Sequence, residues 1–159
     1  MRYLFFVLLC AAMSACTIST NSSDVRNDIK LKAEGIKVKQ AFLLFENDGK
    51  LVPEGNKVEI GQQVNLRLIV EGWKATNGKV FLGASEKIVT NEGGVMLDRS
   101  DLFAAYDQTG INVADAGAIT LSAVITEVNR LFKYFEVSFK VWDKKSSDNV
   151  TGSYRLYLK

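Results

Sequence analysis

From residue 36 onward apolar and polar side chains alternate with a period of two, and turn residues cut the alternation into short pieces. That period marks strands with one dry and one wet face. Residues 36–46 open the pattern with Ile36, Val38, Phe42 and Leu44 on one parity. Asn47-Asp48-Gly49 ends it, because these residue types tolerate positive φ. Pro53 closes a short edge-like piece, and Val58 and Ile60 lead to Gly61. Val64, Leu66, Leu68 and Val70 then alternate with Asn65, Arg67 and Glu71, and Asn77-Gly78 is a hairpin signal that joins this strand to Val80-Phe81-Leu82. Residues 87–90 and 95–97 read as weaker strands. Ser100 is placed to cap a short helix over 101–106 with Leu102, Phe103 and Tyr106 on one face, and 107–117 reads as a loop or single turn.

The C-terminal third carries the clearest alternation. Ile119, Leu121, Ala123 and Ile125 form one strand face, Phe135, Val137, Phe139 and Val141 a second, and Val150, Tyr154, Leu156 and Leu158 a third. A polar loop over 144–149 separates the last two strands. Placing Asp143 opposite Val150 sets Val141 against Gly152, Phe139 against Tyr154, Val137 against Leu156 and Phe135 against Leu158, with every apolar residue on one side. A slip by one residue would invert the set. About seven to nine such strands predict an all-β fold, an antiparallel β-sandwich of immunoglobulin-like or related topology with one short helix. The Cys and Trp hallmarks of true immunoglobulin domains are missing, so the topology stays open.

The N-terminal stretch follows another rule. Arg2 precedes an apolar run over 4–13 that is too short to cross a hydrocarbon core of ~30 Å as a helix. Ser14 and Ala15 are small, and Cys16 follows. Met13-Ser14-Ala15-Cys16 resembles the lipobox of bacterial prolipoproteins, in which the Cys is diacylated on sulfur and becomes the new N-terminus. Met at the first position departs from the commoner Leu. Cys10 is a poorer acceptor, since bulky Leu8 and Leu9 precede it. The resemblance divides the chain into a signal peptide over 1–15, a lipidated Cys16 with a flexible tether over 16–30, and a β-sandwich domain over 31–159. Its polar lead, residues 17–24, reads TISTNSSD. In some lineages an acid directly after the Cys redirects a lipoprotein; here Thr17 holds that place. By resemblance, the expected address is the outer membrane with the domain on the periplasmic side, and the cell surface is the alternative.

Composition then removes functions. The chain holds 20 basic and 18 acidic residues, no histidine and two cysteines. Loss of the signal would leave Cys16 alone, so no disulfide framework is available, and the core must carry stability. Near-balanced charge without a basic run argues against nucleic acid as a partner, and the membrane link is the lipid. Without histidine or a free thiol, the commonest general base, metal ligands and cysteine nucleophile are missing. No Ser-x-x-Lys occurs, and Ser146 and Ser147 beside Lys144 and Lys145 sit at a hairpin tip too exposed to activate a lysine. Asp98 with Asp101 and Glu46 with Asp48 suit turns and caps better than a glycosidase pair. Asn47-Asp48-Gly49 lacks a calcium-loop repeat, and Gly93-Gly94 precedes no helix that would cradle phosphate. No enzyme, cofactor or metal site is expected.

A binding surface remains. In the register above, the wet face of the final hairpin sets Glu136 against Tyr157, Ser138 against Arg155, Lys140 against Ser153 and Trp142 against Thr151. Trp142 on that parity is unusual, and Trp73 falls out of phase with the core face of its own strand. Each indole either caps the edge of the sandwich or, with Tyr157 and Arg155, anchors a partner. Residues 101–107, Asp-Leu-Phe-Ala-Ala-Tyr-Asp, resemble a stretch in the small β-sandwich lipoproteins of type VI secretion systems. That resemblance implies a non-enzymatic envelope component that docks to an outer-membrane or secretion assembly. The alternative is a glycan-binding lipoprotein. A sugar site needs an aromatic flanked by convergent polar groups in a cleft, whereas a docking site needs a flatter patch with a polar rim.

Overall fold

The computed structural model describes residues 23–127 and 131–159. The signal segment 1–15, Cys16 and most of the expected tether lie outside the described residues. The strands are β1 Asp24–Val25, β2 Lys30–Glu34, β3 Lys37–Phe45, β4 Lys57–Val58, β5 Gln63–Glu71, β6 Lys79–Val80, β7 Leu82–Thr90, β8 Val95–Arg99, β9 Ile111–Asn112, β10 Ala118–Val124, β11 Phe135–Asp143 and β12 Asn149–Leu158. One sheet has the order β1-β3-β5-β10; the other has β2-β12-β11-β7-β8, with β4 beside the far end of β12. Their inner faces share one core, from Ala41, Leu43, Val64, Leu66 and Leu68 to Phe135, Val137, Val141 and Leu156. The molecule is an all-β antiparallel sandwich. The folded unit starts before residue 31, because β1 pairs in parallel with β3 and Ile29 is buried, so 24–30 are part of the domain rather than tether.

The alternation in β5 and β10 to β12 sets the burial as expected. Val64, Leu66, Leu68 and Val70 face inward, as do Ile119, Leu121 and Ala123. β3 departs from its expected parity. An irregularity between Val38 and Gln40 inserts an extra residue, so the core positions become Ala41 and Leu43 instead of Phe42 and Leu44. The β11–β12 register is also two residues away from the expected one. Val141 faces Val150, Phe139 faces Gly152, Val137 faces Tyr154 and Phe135 faces Leu156. A two-residue shift keeps every side chain on its face, so parity cannot distinguish the two registers. The turn and one glycine do: Asp143 N–H donates to Asp148 O at 2.9 Å, Asp143 Oδ1 accepts Lys145 N–H at 3.0 Å, and the Phe139 ring occupies the space a side chain at Gly152 would need.

Two local expectations fail for reasons of connection. Asn77 and Gly78 do adopt positive φ, and Thr76 and Lys79 exchange both backbone hydrogen bonds. This turn does not join β5 to a neighbouring strand, however: β6 pairs with β9, and the chain then crosses to the other sheet as β7. The expected helix over 101–106 is only a 3-10 turn at Ala104–Tyr106. Ser100 makes no cap; Asp101 Oδ1 accepts Phe103 N–H at 3.0 Å and Ala84 N–H at 3.4 Å instead. Lys144 Nζ, from the hairpin tip, bridges Asp101 and Asp107.

One polar joint repairs a gap in the second sheet. β12 pairs with β2 over Asn149–Ser153 and with β4 only at Tyr157 and Leu158. Between them stands Asn56, buried, which donates from Nδ2 to Arg155 O at 2.9 Å and to Asn27 O at 2.8 Å, while its backbone O accepts Tyr157 N–H at 3.0 Å. Asn27 returns a bond from Nδ2 to Asn56 Oδ1 at 3.0 Å and accepts Leu43 N–H at 3.0 Å. Both asparagines hold positive φ, a region Asn tolerates better than other residues with a Cβ.

Candidate functional site

Outward residues of β11 and β12 meet in cross-strand pairs, and the observed register sets Glu136 against Arg155 and Ser138 against Ser153. Arg155 Nε donates to Glu136 Oε2 at 3.3 Å, and the guanidinium lies 4.3 Å from the centroid of the Tyr134 ring. The Tyr134 and Tyr157 rings are 6.1 Å apart. The Glu136 hydrogen bond, and after it the neighbouring Tyr134 and Tyr157, hold the guanidinium above its ordinary pKa, so it is a permanent cation. Beside it is a concavity of about 210 Å³ lined by Asp28, Lys30, Glu136, Ser153, Arg155 and Tyr157 among others. The site is thus a cation held over the Tyr134 ring and bonded to a carboxylate, with Tyr157 beside it, and Tyr and Arg are the residue types enriched in interface hot spots.

The four candidates from the sequence separate. Tyr157 and Arg155 come together in this cluster. Trp142 is on the same outer face but opposite Asn149, ~20 Å along β11 from Glu136 at the rise of a strand. Its half-buried indole covers Gly83 of β7, where a Cβ would clash with the ring, so it fills the place of a missing side chain. Trp73 is removed from the surface altogether. It is 7 % exposed, and its indole N–H donates to Ala116 O at 3.0 Å. Gly72, at φ +101°, turns the chain after β5 and breaks the parity on which the surface reading rested.

Two participants were not foreseen. Tyr134 precedes β11 and has no alternating partner upstream to reveal its side; only its parity with Glu136 signals it. Tyr106 is 47 % exposed, and Phe103 is 6.4 Å from it, ring to ring. Both line a cleft of about 440 Å³ with Lys79, Asn112, Asp115 and Thr120. Lys79 Nζ donates to Asn112 Oδ1 at 2.8 Å and Asn112 Nδ2 to Asp115 Oδ2 at 3.1 Å, which links the polar residues of the cleft to one another.

No family model and no curated protein matches the chain. Among solved structures, the C-terminal domain of Wzt is similar at 13 % identity, over 87 % of this chain and 82 % of that one, with a TM-score of 0.55. The likeness is one of fold. Both are β-sandwiches. An immunoglobulin-like protein from Pseudomonas aeruginosa is also similar, at 13 % identity over 82 % of this chain and 97 % of that one, with a TM-score of 0.40.

Proposed function

We propose that the protein is a non-enzymatic envelope component, anchored by lipid on Cys16 to the outer membrane on its periplasmic side, and that it docks a protein of an outer-membrane or secretion-system assembly. The Tyr134–Arg155–Tyr157 cluster carries this reading, being an ordered set of hot-spot residues on an outer sheet face. The small residues before Cys16 support the anchor, and the fold begins close behind it at Asp24. Affinity capture after cross-linking in the protein's own membrane tests the docking face. Arg155→Ala with Tyr157→Ala should lower partner recovery at least about tenfold, as loss of ~1.4 kcal/mol or more implies, while the fold survives. Trp142→Ala should destabilise the domain and leave recovery by the folded fraction unchanged. Full recovery by the double variant overturns the docking face. Labelled palmitate should enter the wild type and not Cys16→Ser; equal labelling refutes the anchor.

A second reading has its own observation. The cleft under Tyr106 has the aromatic face and linked polar residues that a sugar ring requires, so an envelope glycan is the alternative ligand. Tyr106→Ala should then abolish retention on immobilised envelope polysaccharide, and Arg155→Ala should not.

A further inference from the structure

The inner face of β7 runs Leu82, Ala84, Glu86, Ile88 and Thr90, which puts a carboxylate on the core side of a strand flanked on both edges. Glu86 is 3 % exposed, and its Oε1 has no hydrogen-bond partner among the described residues. Its cross-strand neighbours are Phe139 on β11 and Arg99 on β8. Arg99 is exposed and makes no ion pair with it. Glu86 also lines a groove of about 340 Å³ whose other walls include Met96, Leu97, Arg99, Leu102, Ser122 and Val124. The groove opens between β8 and β10, the outermost strands on this side of the two sheets. Leu102 and Val124 at its mouth are 40 % and 42 % exposed.

A trough of mostly aliphatic walls, with the exposed Arg99 among them and one unpaired buried carboxylate oxygen, specifies its occupant by hydrogen bonding and shape. An anion or a hydrocarbon brings no donor to the oxygen, whereas an ammonium on an apolar stem satisfies the oxygen and the walls together. We propose that this groove is a binding site for a primary alkylammonium group, with the stem along Leu97, Met96 and Val124 and the nitrogen donating to Glu86. Burial raises the Glu86 carboxyl to about 7. The other polar groups near it are Arg99 from β8, the Tyr154 hydroxyl from β12, and the uncharged Ser122 and Thr126 at the groove wall; β11 offers Phe139 and the first sheet turns apolar side chains inward. Cation binding therefore draws a proton off Glu86, and affinity should rise about tenfold between pH 6 and pH 8 as the carboxyl ionises.

Titration calorimetry of the full-length protein with hexylammonium, hexanol and hexanoate tests this. Hexylammonium should bind saturably, hexanol at least about tenfold more weakly and hexanoate not at all, the charge-assisted bond making the difference. Glu86→Gln should keep the fold, weaken hexylammonium to the level of hexanol and abolish the pH dependence. Val124→Trp, a change at the exposed mouth, should block all binding while Glu86 still titrates. Equal binding of hexanol and hexylammonium, undiminished binding by Glu86→Gln, or no saturable binding of hexylammonium at pH 8 each overturns the proposal.

Discussion

Replacing Phe139 by alanine is expected to cost about 3 to 5 kcal/mol of folding stability, a large share of what a domain of this kind possesses. The ring is 4 % exposed, lies 6.5 Å from the Tyr154 ring and covers Gly152 on the adjoining strand. Alanine would leave a cavity beside a glycine that has no side chain to close it. Urea unfolding followed by tryptophan fluorescence measures the change. A loss below roughly 0.5 kcal/mol, as at a plain surface position, contradicts the packing described.

Stability should also fall as pH rises from about 4.5 to 7, against the trend of most carboxylates. Burial lifts the Glu86 carboxyl from 4.5 to about 7 in the folded state, so folding takes up a proton in this interval. The favourable contribution is complete below the unfolded pKa and is lost progressively until the pH passes the folded one. A shift of this size amounts to about 3 kcal/mol. Asp24, Glu34, Asp48 and Asp101 are lowered rather than raised, so their contributions vanish only as pH falls below the usual carboxylate range, outside the Glu86 window. Urea midpoints at pH 5 and pH 8 should therefore differ in the wild type and converge in Glu86→Gln, which gains chiefly at pH 8. An equal pH response in the two proteins would falsify the assignment.

Strands with one wet face were legible wherever alternation ran unbroken, as in β5, β10 and β11. Parity carries no information beyond a shift of two, which is why the faces of the last hairpin were right and its register was not. The bulge at Lys39 left no mark in the alternation, because Val38, Phe42 and Leu44 read as one apolar parity on either side of it. Arg155 and Tyr157 were legible as outward residues, but Trp73 was not legible as buried, since Gly72 reorients the chain after the strand ends. Glu86 was visible in principle: it shares parity with Ala84 and Ile88. Treating 80–82 and 87–90 as separate strands hid that β7 is continuous and carries a carboxylate on its dry side.

The position of β12 has a consequence for how the chain is made. It is an interior strand, between β11 on one edge and β2 and β4 on the other, and Asn56 reaches it across a sequence separation of 99 residues. During synthesis, Lys30–Glu34 and Lys57–Val58 therefore wait for partners that leave the ribosome about ninety or more residues after them. A nascent chain that stops short of Asn149 has an open seam through the second sheet, with Val137 and Phe139 lacking their neighbours. Such late closure, dictated by distant contacts, delays compaction of the domain until β12 has emerged, and a chain still uncompacted is one that can be threaded through a narrow pore.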